Sequence, residues 1–262
     1  MPPRDASELF ESTARYYARH RPRYDERAIE QLVTNFDLDE PSRVLDLGCG
    51  PGHLAIPLAA HAGEVVGMDP NEEMLCEARR LADEAGADNV HWVVGSDATI
   101  DASLGTFDLT VMGRSFHWMD RDRTLTTLSD LTNPGGGVAV LTDGDWMALP
   151  EAEWQRSVAS FAAEFRAVPD STDGTDDPAR LHQDVLAESA FESLEIEHLE
   201  FDHEWTPDGI VGYVFSLSYC SPAVLGDAAT ELERAIREQL AHFDRETFTQ
   251  HVEVTTITAR KG

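Results

Sequence analysis

Lysine is almost missing from this chain: of its 20 basic residues only Lys261 is lysine, and arginine supplies the rest. Against them stand 49 acids in 262 residues, a formal net charge of −29 with histidines neutral. That sign disfavours partners held by phosphate neutralisation, so neither nucleic acid nor an anionic membrane surface is expected. Cysteine is scarce as well. Cys49, Cys76 and Cys220 form no CxxC pair and no even framework, which excludes a disulfide scaffold and reads as reduced thiols in a cytoplasmic protein. No apolar run approaches the roughly 20 residues that span a bilayer, and MPPRDASELF at the start has no apolar h-region, so no membrane span or secretory leader is expected. Internal repeats and low-complexity linkers are absent too. The 42% hydrophobic fraction is that of a globular chain with a core of its own.

The acids are spread along the whole chain. A charge of this size repels itself in ordinary buffer. Molar salt cuts the Debye length to about 3 Å and relieves the repulsion. The composition therefore predicts a halophilic protein, adapted to a cytoplasm rich in salt.

Periodicity predicts alternating strands and helices through the middle of the chain. The expected strands are 44–47, 64–69, 90–94, 107–112 and 138–141. The helices between them are expected at 52–61, 72–85 and 124–131, with Asn133-Pro134-Gly135-Gly136 as a turn. Strands separated by helices mean a parallel sheet covered on both faces. Later segments read as helices over 151–167 and 227–243 and as strands at 194–201 and 251–260. The expectation is α/β: a Rossmann-like, mostly parallel sheet of seven strands with a helical cap at the N-terminus and helical additions after the fifth strand. One domain is expected over 1–262, with a cap at 1–40, a cofactor-binding core at 41–145 and an acceptor-pocket region at 146–262. The acidic stretch Asp170–Asp177 lacks the 12-residue ligand spacing of a calcium loop, and no metal is expected.

The most informative stretch is Val44-Leu45-Asp46-Leu47-Gly48-Cys49-Gly50-Pro51-Gly52. A strand ends, glycines alternate, and a helix begins. Glycine permits the tight turn and lets a ligand approach the backbone. The spacing is GxGxG, whereas dinucleotide pyrophosphate binding uses GxGxxG, which disfavours a dehydrogenase. Asp69 closes the second strand 21 positions after Gly48, where an acid accepts both ribose hydroxyls.

VLDLGCGPG, VVGMDP, Gly95-Ser96-Asp97-Ala98, FDLTVMGRSFHWMD and NPGG-VAVL follow one another in the order seen in class I S-adenosylmethionine-dependent methyltransferases, which this chain resembles over residues 5–145. Asn133 stands where that family usually has lysine. Tyr17-Ala18-Arg19-His20-Arg21-Pro22-Arg23-Tyr24 and the segment FDHEWTPDGIVGYVFSLSYCSP are similar to the small-molecule branch that includes trans-aconitate-type and type-11 enzymes, although Asp25 replaces the usual Pro. The resemblance implies S-adenosyl-L-methionine as cofactor and S-adenosyl-L-homocysteine as product. It implies cofactor contacts at Tyr17, Arg21, Asp46, Gly48, Cys49, Gly50, Gly52, Asp69, Pro70, Met74, Ser96, Asp97, Ala98, Arg114 and Ser115. In it Asp69 holds the ribose and Asp97 reads the adenine amine. Arg21 is a planar fork suited to the cofactor's carboxylate, or equally a surface arginine beside an acid.

His117 is the one candidate for catalysis. At the carboxyl edge of the fourth strand it is placed to act as a general base or, beside Trp118, to shape the pocket. No NPPY motif follows that strand, which disfavours amino methylation of adenine or glutamine. No cysteine lies there for a 5-methylcytosine mechanism. The aromatic residues of 146–219 (Trp146, Trp154, Phe161, Phe165, Trp205, Tyr213, Phe215, Tyr219) suit either an apolar acceptor pocket or, as aromatics usually do, a core. The implied partner is a small-molecule methyl acceptor, with O-, C- and N-methylation all open. The rival readings are an RNA methyltransferase using the Arg15–Arg27 cluster and a protein that binds the cofactor without chemistry.

Overall fold

The structure, a computed structural model, describes residues 13–165 and 181–262. In chain order its elements are α1 (Ala14–His20), α2 (Glu26–Asn35), β1 (Arg43–Leu47), α3 (Ala55–Leu58), β2 (Glu64–Asp69), α4 (Glu72–Ala85), β3 (Val90–Val94), β4 (Phe107–Gly113), α5 (Arg121–Leu131) and β5 (Thr132–Asp143). There follow α6 (Glu153–Phe165), α7 (His182–Ala187), β6 (Glu192–Trp205), α8 (Pro207–Phe215), α9 (Pro222–Leu225), α10 (Ala228–Ala241) and β7 (Phe248–Arg260).

The strands form one seven-stranded sheet in the order β3-β2-β1-β4-β5-β7-β6. The pairs β1–β2, β1–β4, β2–β3 and β4–β5 are parallel. On β6 and β7 the partners run in opposite senses: Thr249 meets Glu204, His251 meets Asp202, and Thr255 meets His198. That antiparallel pair, joined through α8–α10, makes the sheet mixed. The order reverses at β1, between β2 and β4, which is where an open α/β sheet binds its ligand.

Alternation along β1 sends Val44 to one face and Leu45 and Leu47 to the other. One apolar layer gathers Leu45, Met68, Met112, Phe116 and Leu128. The opposite layer gathers Leu32, Val44, Leu58, Val65 and Leu109. The chain divides into two compact units. One comprises residues 23–142, 181–199 and 254–262 of the described chain and holds both of these layers. The other comprises 13–22, 143–165 and 200–253, with its own core around Trp146, Trp154, Trp205, Tyr213 and Phe248. The aromatics of the later chain are thus largely core.

Local chemistry accounts for the helix ends. Asn71 caps α4 by accepting from Met74 N, Glu72 and Glu73 lie in its first turn, and Gly86 closes it with φ of 68°. Thr206 caps α8, and Pro207 follows at the first helical position. Two expectations need correction. The helix expected over 52–61 is a single turn, α3, because Gly52–Leu54 serve the loop before it. The NPGG segment is no separate turn; it belongs to β5, which steps out of register between the Phe107–Thr132 and Leu109–Gly137 pairs. Asp170–Asp177 lies outside the described residues. No helix among the described residues is long and apolar enough to cross a membrane.

Candidate functional site

β1 ends in a loop whose three glycines all take positive φ: 72° at Gly48, 52° at Gly50 and 82° at Gly52. The loop is tied to β2 by backbone and side-chain acceptors. Gly48 N and Cys49 N both donate to Met68 O, at 2.8 and 3.0 Å. Asp69 uses both carboxylate oxygens: Oδ2 accepts from Gly50 N and Oδ1 from Asn71 N, each at 2.8 Å. Gly52 N closes back on Cys49 O. Under the loop, Asp46 Oδ2 accepts from Ala55 N at the start of α3 (2.9 Å). Two acids thus hold one loop of backbone amides.

Burial sets their protonation. Asp46 is fully enclosed; desolvation, resisted by the Ala55 bond and aided by the nearby Asp69 charge, pushes its pKa up to about 7. Desolvation raises Asp69 as well, against the two backbone bonds that favour its carboxylate. The Cys49 thiol is buried beside both acids, and its pKa is pushed well above the ordinary thiol value, so it is no nucleophile.

The third strand feeds a second loop. Ser96 N donates to Thr99 Oγ1, and Ser96 Oγ accepts from Ala98 N. Asp97 Oδ2 accepts from Asp120 N (3.2 Å), while Arg123 reaches back to Ala98 O. The 96–98 loop is therefore fastened to the start of α5. The end of β4 closes the row. Ser115 Oγ donates to Leu47 O (2.7 Å), stitching β4 to β1 just below Gly48. Arg114 takes a left-handed backbone, φ 56°, uncommon for a side-chain-bearing residue. Its guanidinium lies 4.7 Å from the Tyr24 ring centre.

His117 follows in a single 3-10 turn with Phe116 and Trp118. The residue is exposed, with its ring centre 5.1 Å from that of Trp118. Desolvation, then the positive fields of His182 and Arg121, lowers its pKa from 6.5 to about 4. The imidazole is neutral at neutral pH. His182 packs on Phe116 with ring centres 5.2 Å apart, and its Nδ1 is 3.3 Å from Arg121 Nη1.

Of the residues singled out from the sequence, Asp46, Gly48, Cys49, Gly50, Gly52, Asp69, Pro70, Met74, Ser96, Asp97, Ala98, Arg114, Ser115 and His117 belong to one unit, at or beside the ends of β1–β4. Met74 is buried in the first turn of α4. Tyr17 and Arg21 belong to the other unit. There Arg21 donates to Ser216 Oγ (3.0 Å) and to Tyr213 OH (3.2 Å), its guanidinium stacks on the Tyr17 and Tyr213 rings, and Tyr213 OH donates to Asp145.

Tyr24, quoted from the sequence only as the end of the Tyr17–Tyr24 motif, lies where a Cβ on Gly113 would fall 2.6 Å from its hydroxyl. Trp92 escaped the sequence reading; it presses on Gly67 and Gly52. The signal for Trp92 was Gly67 itself, a glycine inside a strand, which marks a close approach. The loop has room for a ligand. A Cβ built on Gly50 meets nothing within 4 Å, so the Cα side of that glycine is open, while the loop amides donate inward to Met68 O, Asp69 and Cys49 O. No group of three or more metal-ligating side chains gathers among the described residues.

Comparison with known proteins agrees with this geometry. Residues 44–136 match the family model of a methyltransferase domain. An uncharacterised methyltransferase of Mycobacterium tuberculosis is 29% identical over 84% of this chain and 82% of its own length. The trans-aconitate 2-methyltransferase of Rhodococcus jostii is 30% identical over 58% of this chain and 59% of its own. Among solved structures, one from Anaeromyxobacter dehalogenans, provisionally assigned as a type II methyltransferase, superposes with a TM-score of 0.61 at 22% identity, covering 92% of this chain and 97% of that one. The Haemonchus contortus phosphoethanolamine N-methyltransferase 2 in complex with S-adenosyl-L-methionine gives 0.54 at 16% identity, covering 96% of this chain and 56% of that one. At these identities the structural likenesses concern the fold.

Proposed function

We propose that this chain, which carries a methyltransferase-type domain over residues 44–136, transfers a methyl group from S-adenosyl-L-methionine to a small-molecule acceptor in a salt-rich cytoplasm. One observation carries the cofactor assignment. At the point where strand order reverses, Asp69 fixes the amide of Gly50, whose Cα side is open, in a loop with no pyrophosphate spacing. The donor set fits an adenosyl group with an amino-acid tail. In this reading Asp69 takes the ribose hydroxyls, Asp97 the adenine amine, and the side-chain-free backbone at Gly50 allows close approach of the tail.

When bound, the cofactor supplies an activated methyl on a sulfonium, open to in-line attack by an acceptor nucleophile. The work of this chain's residues is then to bind, orient and exclude water, which supplies most of the rate where the acceptor is already nucleophilic. A carboxylate acceptor needs no base. A phenol, amine, thiol or carbon acid needs one, and the neutral His117 imidazole is in the protonation state to take that proton. The Rhodococcus relative's trans-aconitate, a carboxylate acceptor, supports placing organic acids first in a screen. The net charge of −29 supports a small molecule over RNA.

The deciding experiment is calorimetric titration in molar KCl with S-adenosylhomocysteine and, separately, with NAD. Micromolar binding of the former with none of the latter is expected. Binding of NAD alone, or of neither, overturns the reading. Binding without methylated product across a broad acceptor panel would replace the enzyme with a cofactor-binding protein.

A further inference from the structure

The β2–β3 register sets Trp92 directly opposite Gly67, and the β1–β2 register sets Gly67 opposite Asp46. These three positions form one row across the sheet, on the face that carries α3. Gly67 is the only position in this row without a side chain, and the Trp92 indole occupies the space: a Cβ there would fall on the ring. The same ring reaches onward to the glycine loop. A Cβ on Gly52 would stand 2.6 Å from Trp92 Cη2, and a Cβ on Gly67 would stand 3.3 Å from Cys49 Sγ. One side chain from the edge strand therefore crosses β2 and ends against the last glycine of the loop.

We propose that Trp92 is a positioning residue for the cofactor loop, a wedge that sets where the Gly48–Gly52 amides stand. The inference rests on the cofactor reading above for its function and on packing alone for its mechanics. Hydrogen bonds to Met68 O and Asp69 hold the Gly48–Gly50 end of the loop. The Gly52 end is held by its amide bond to Cys49 O, by its carbonyl, which accepts from Ile56 N of α3 (3.0 Å), and on its Cα side by the indole and the Ile56 side chain. Trp92 is half-buried against the apolar layer of this face, so removing the ring takes away the surface the loop packs on and lets it relax. A displacement on the order of 1 Å at a binding loop is enough to weaken binding strongly. Gly67 is the other half of the device. Any side chain there pushes the ring off its seat.

The test uses four variants of the full chain: Trp92→Ala, Trp92→Phe, Gly67→Ala and the Gly67→Ala/Trp92→Ala pair. Two readouts are taken in molar KCl: amide hydrogen exchange at Gly48, Cys49, Gly50 and Gly52 without ligand, and S-adenosylhomocysteine affinity. Trp92→Ala is expected to speed loop exchange and weaken binding by about tenfold each, with Trp92→Phe recovering most of the loss. Gly67→Ala is expected to do the same, and the pair to be no worse than the worse single variant, since both act through one contact. Loop exchange and affinity at wild-type levels in Trp92→Ala, with only the melting temperature lowered, overturn the proposal, as do additive losses in the pair. Should the wild-type chain bind no S-adenosylhomocysteine, the cofactor reading falls, and the exchange data still decide whether Trp92 holds the loop.

Discussion

At the residue scale the chemistry turns on protonation. Desolvation of His117, with the fields of His182 and the Arg121 cation, favours its neutral ring. As a general base it stays competent down to a lower pH than an ordinary imidazole does. The acid limb of kcat/KM is therefore expected well below 6.5, near 4, provided the acceptor itself does not titrate there. His117→Ala is expected to lower kcat by about a hundredfold for an acceptor that must lose a proton, with S-adenosylhomocysteine affinity unchanged. A rise in acceptor KM at constant kcat would instead make His117 a wall of the pocket. Asp46 and Asp69 illustrate the opposite use of burial. Their carboxylates are enclosed because they accept backbone amides of the loop and of the turns that follow β1 and β2. Removing either one leaves buried N–H groups without an acceptor.

At the scale of elements, the lone lysine has a structural task. Lys261 Nζ donates to Ser129 O (2.7 Å) and Thr132 O (2.8 Å), two carbonyls at the C-terminal end of α5, where the helix dipole favours a cation. Its backbone N also donates to Gly136 O (2.8 Å), alongside the out-of-register stretch of β5. Lys261→Ala is expected to cost about 1–3 kcal/mol of unfolding free energy, the usual range for charged hydrogen bonds to a helix end; equilibrium urea denaturation measures it. A loss below about 0.5 kcal/mol would mean that water satisfies those carbonyls equally well.

Which elements were legible follows from similar reasoning. The β1–β4 strands and α4 could be read because each is an apolar or periodic run bounded by turn residues or caps, whereas only 138–141 of β5 (Thr132–Asp143) could. The extent of α3 could not, since whether Gly52-His53-Leu54 continues a helix depends on what Asp46 and Asp69 do to the preceding turn. The NPGG stretch reads as a turn locally but is carried along by its neighbour, with Asn133 bonding Asp108 (2.8 Å). In the site, glycine spacing and the acid after β2 are sequence signals. Trp92 over Gly67 and Tyr24 over Gly113 are cross-strand and cap contacts with no sequence period of their own. Arg114's left-handed backbone is likewise set by its surroundings: its N–H donates to Leu141 O on β5.

At the scale of the whole molecule, charge dominates. Several arginines sit in ion pairs: Arg80 bridges Glu77 and Glu84, Arg237 bridges Glu233 and Asp208, and Arg43 pairs with Glu64. Exposed pairs of this kind are worth about 0–1 kcal/mol each and weaken as salt rises. They cannot offset 29 uncompensated negative charges, whose mutual repulsion is long-ranged at low ionic strength. The two effects respond to salt in opposite directions, so a melting experiment separates them. Repulsion relaxes as the Debye length falls from about 10 Å at 0.1 M to about 3 Å at 1 M, whereas loss of surface pairs lowers stability over the same range. The prediction is a melting temperature that rises from low to molar KCl, with a comparable rise in NaCl because screening depends on ionic strength. A flat or falling curve would mean that local pairing outweighs the net charge, and the proposal of a protein built for a salt-rich cytoplasm would fail.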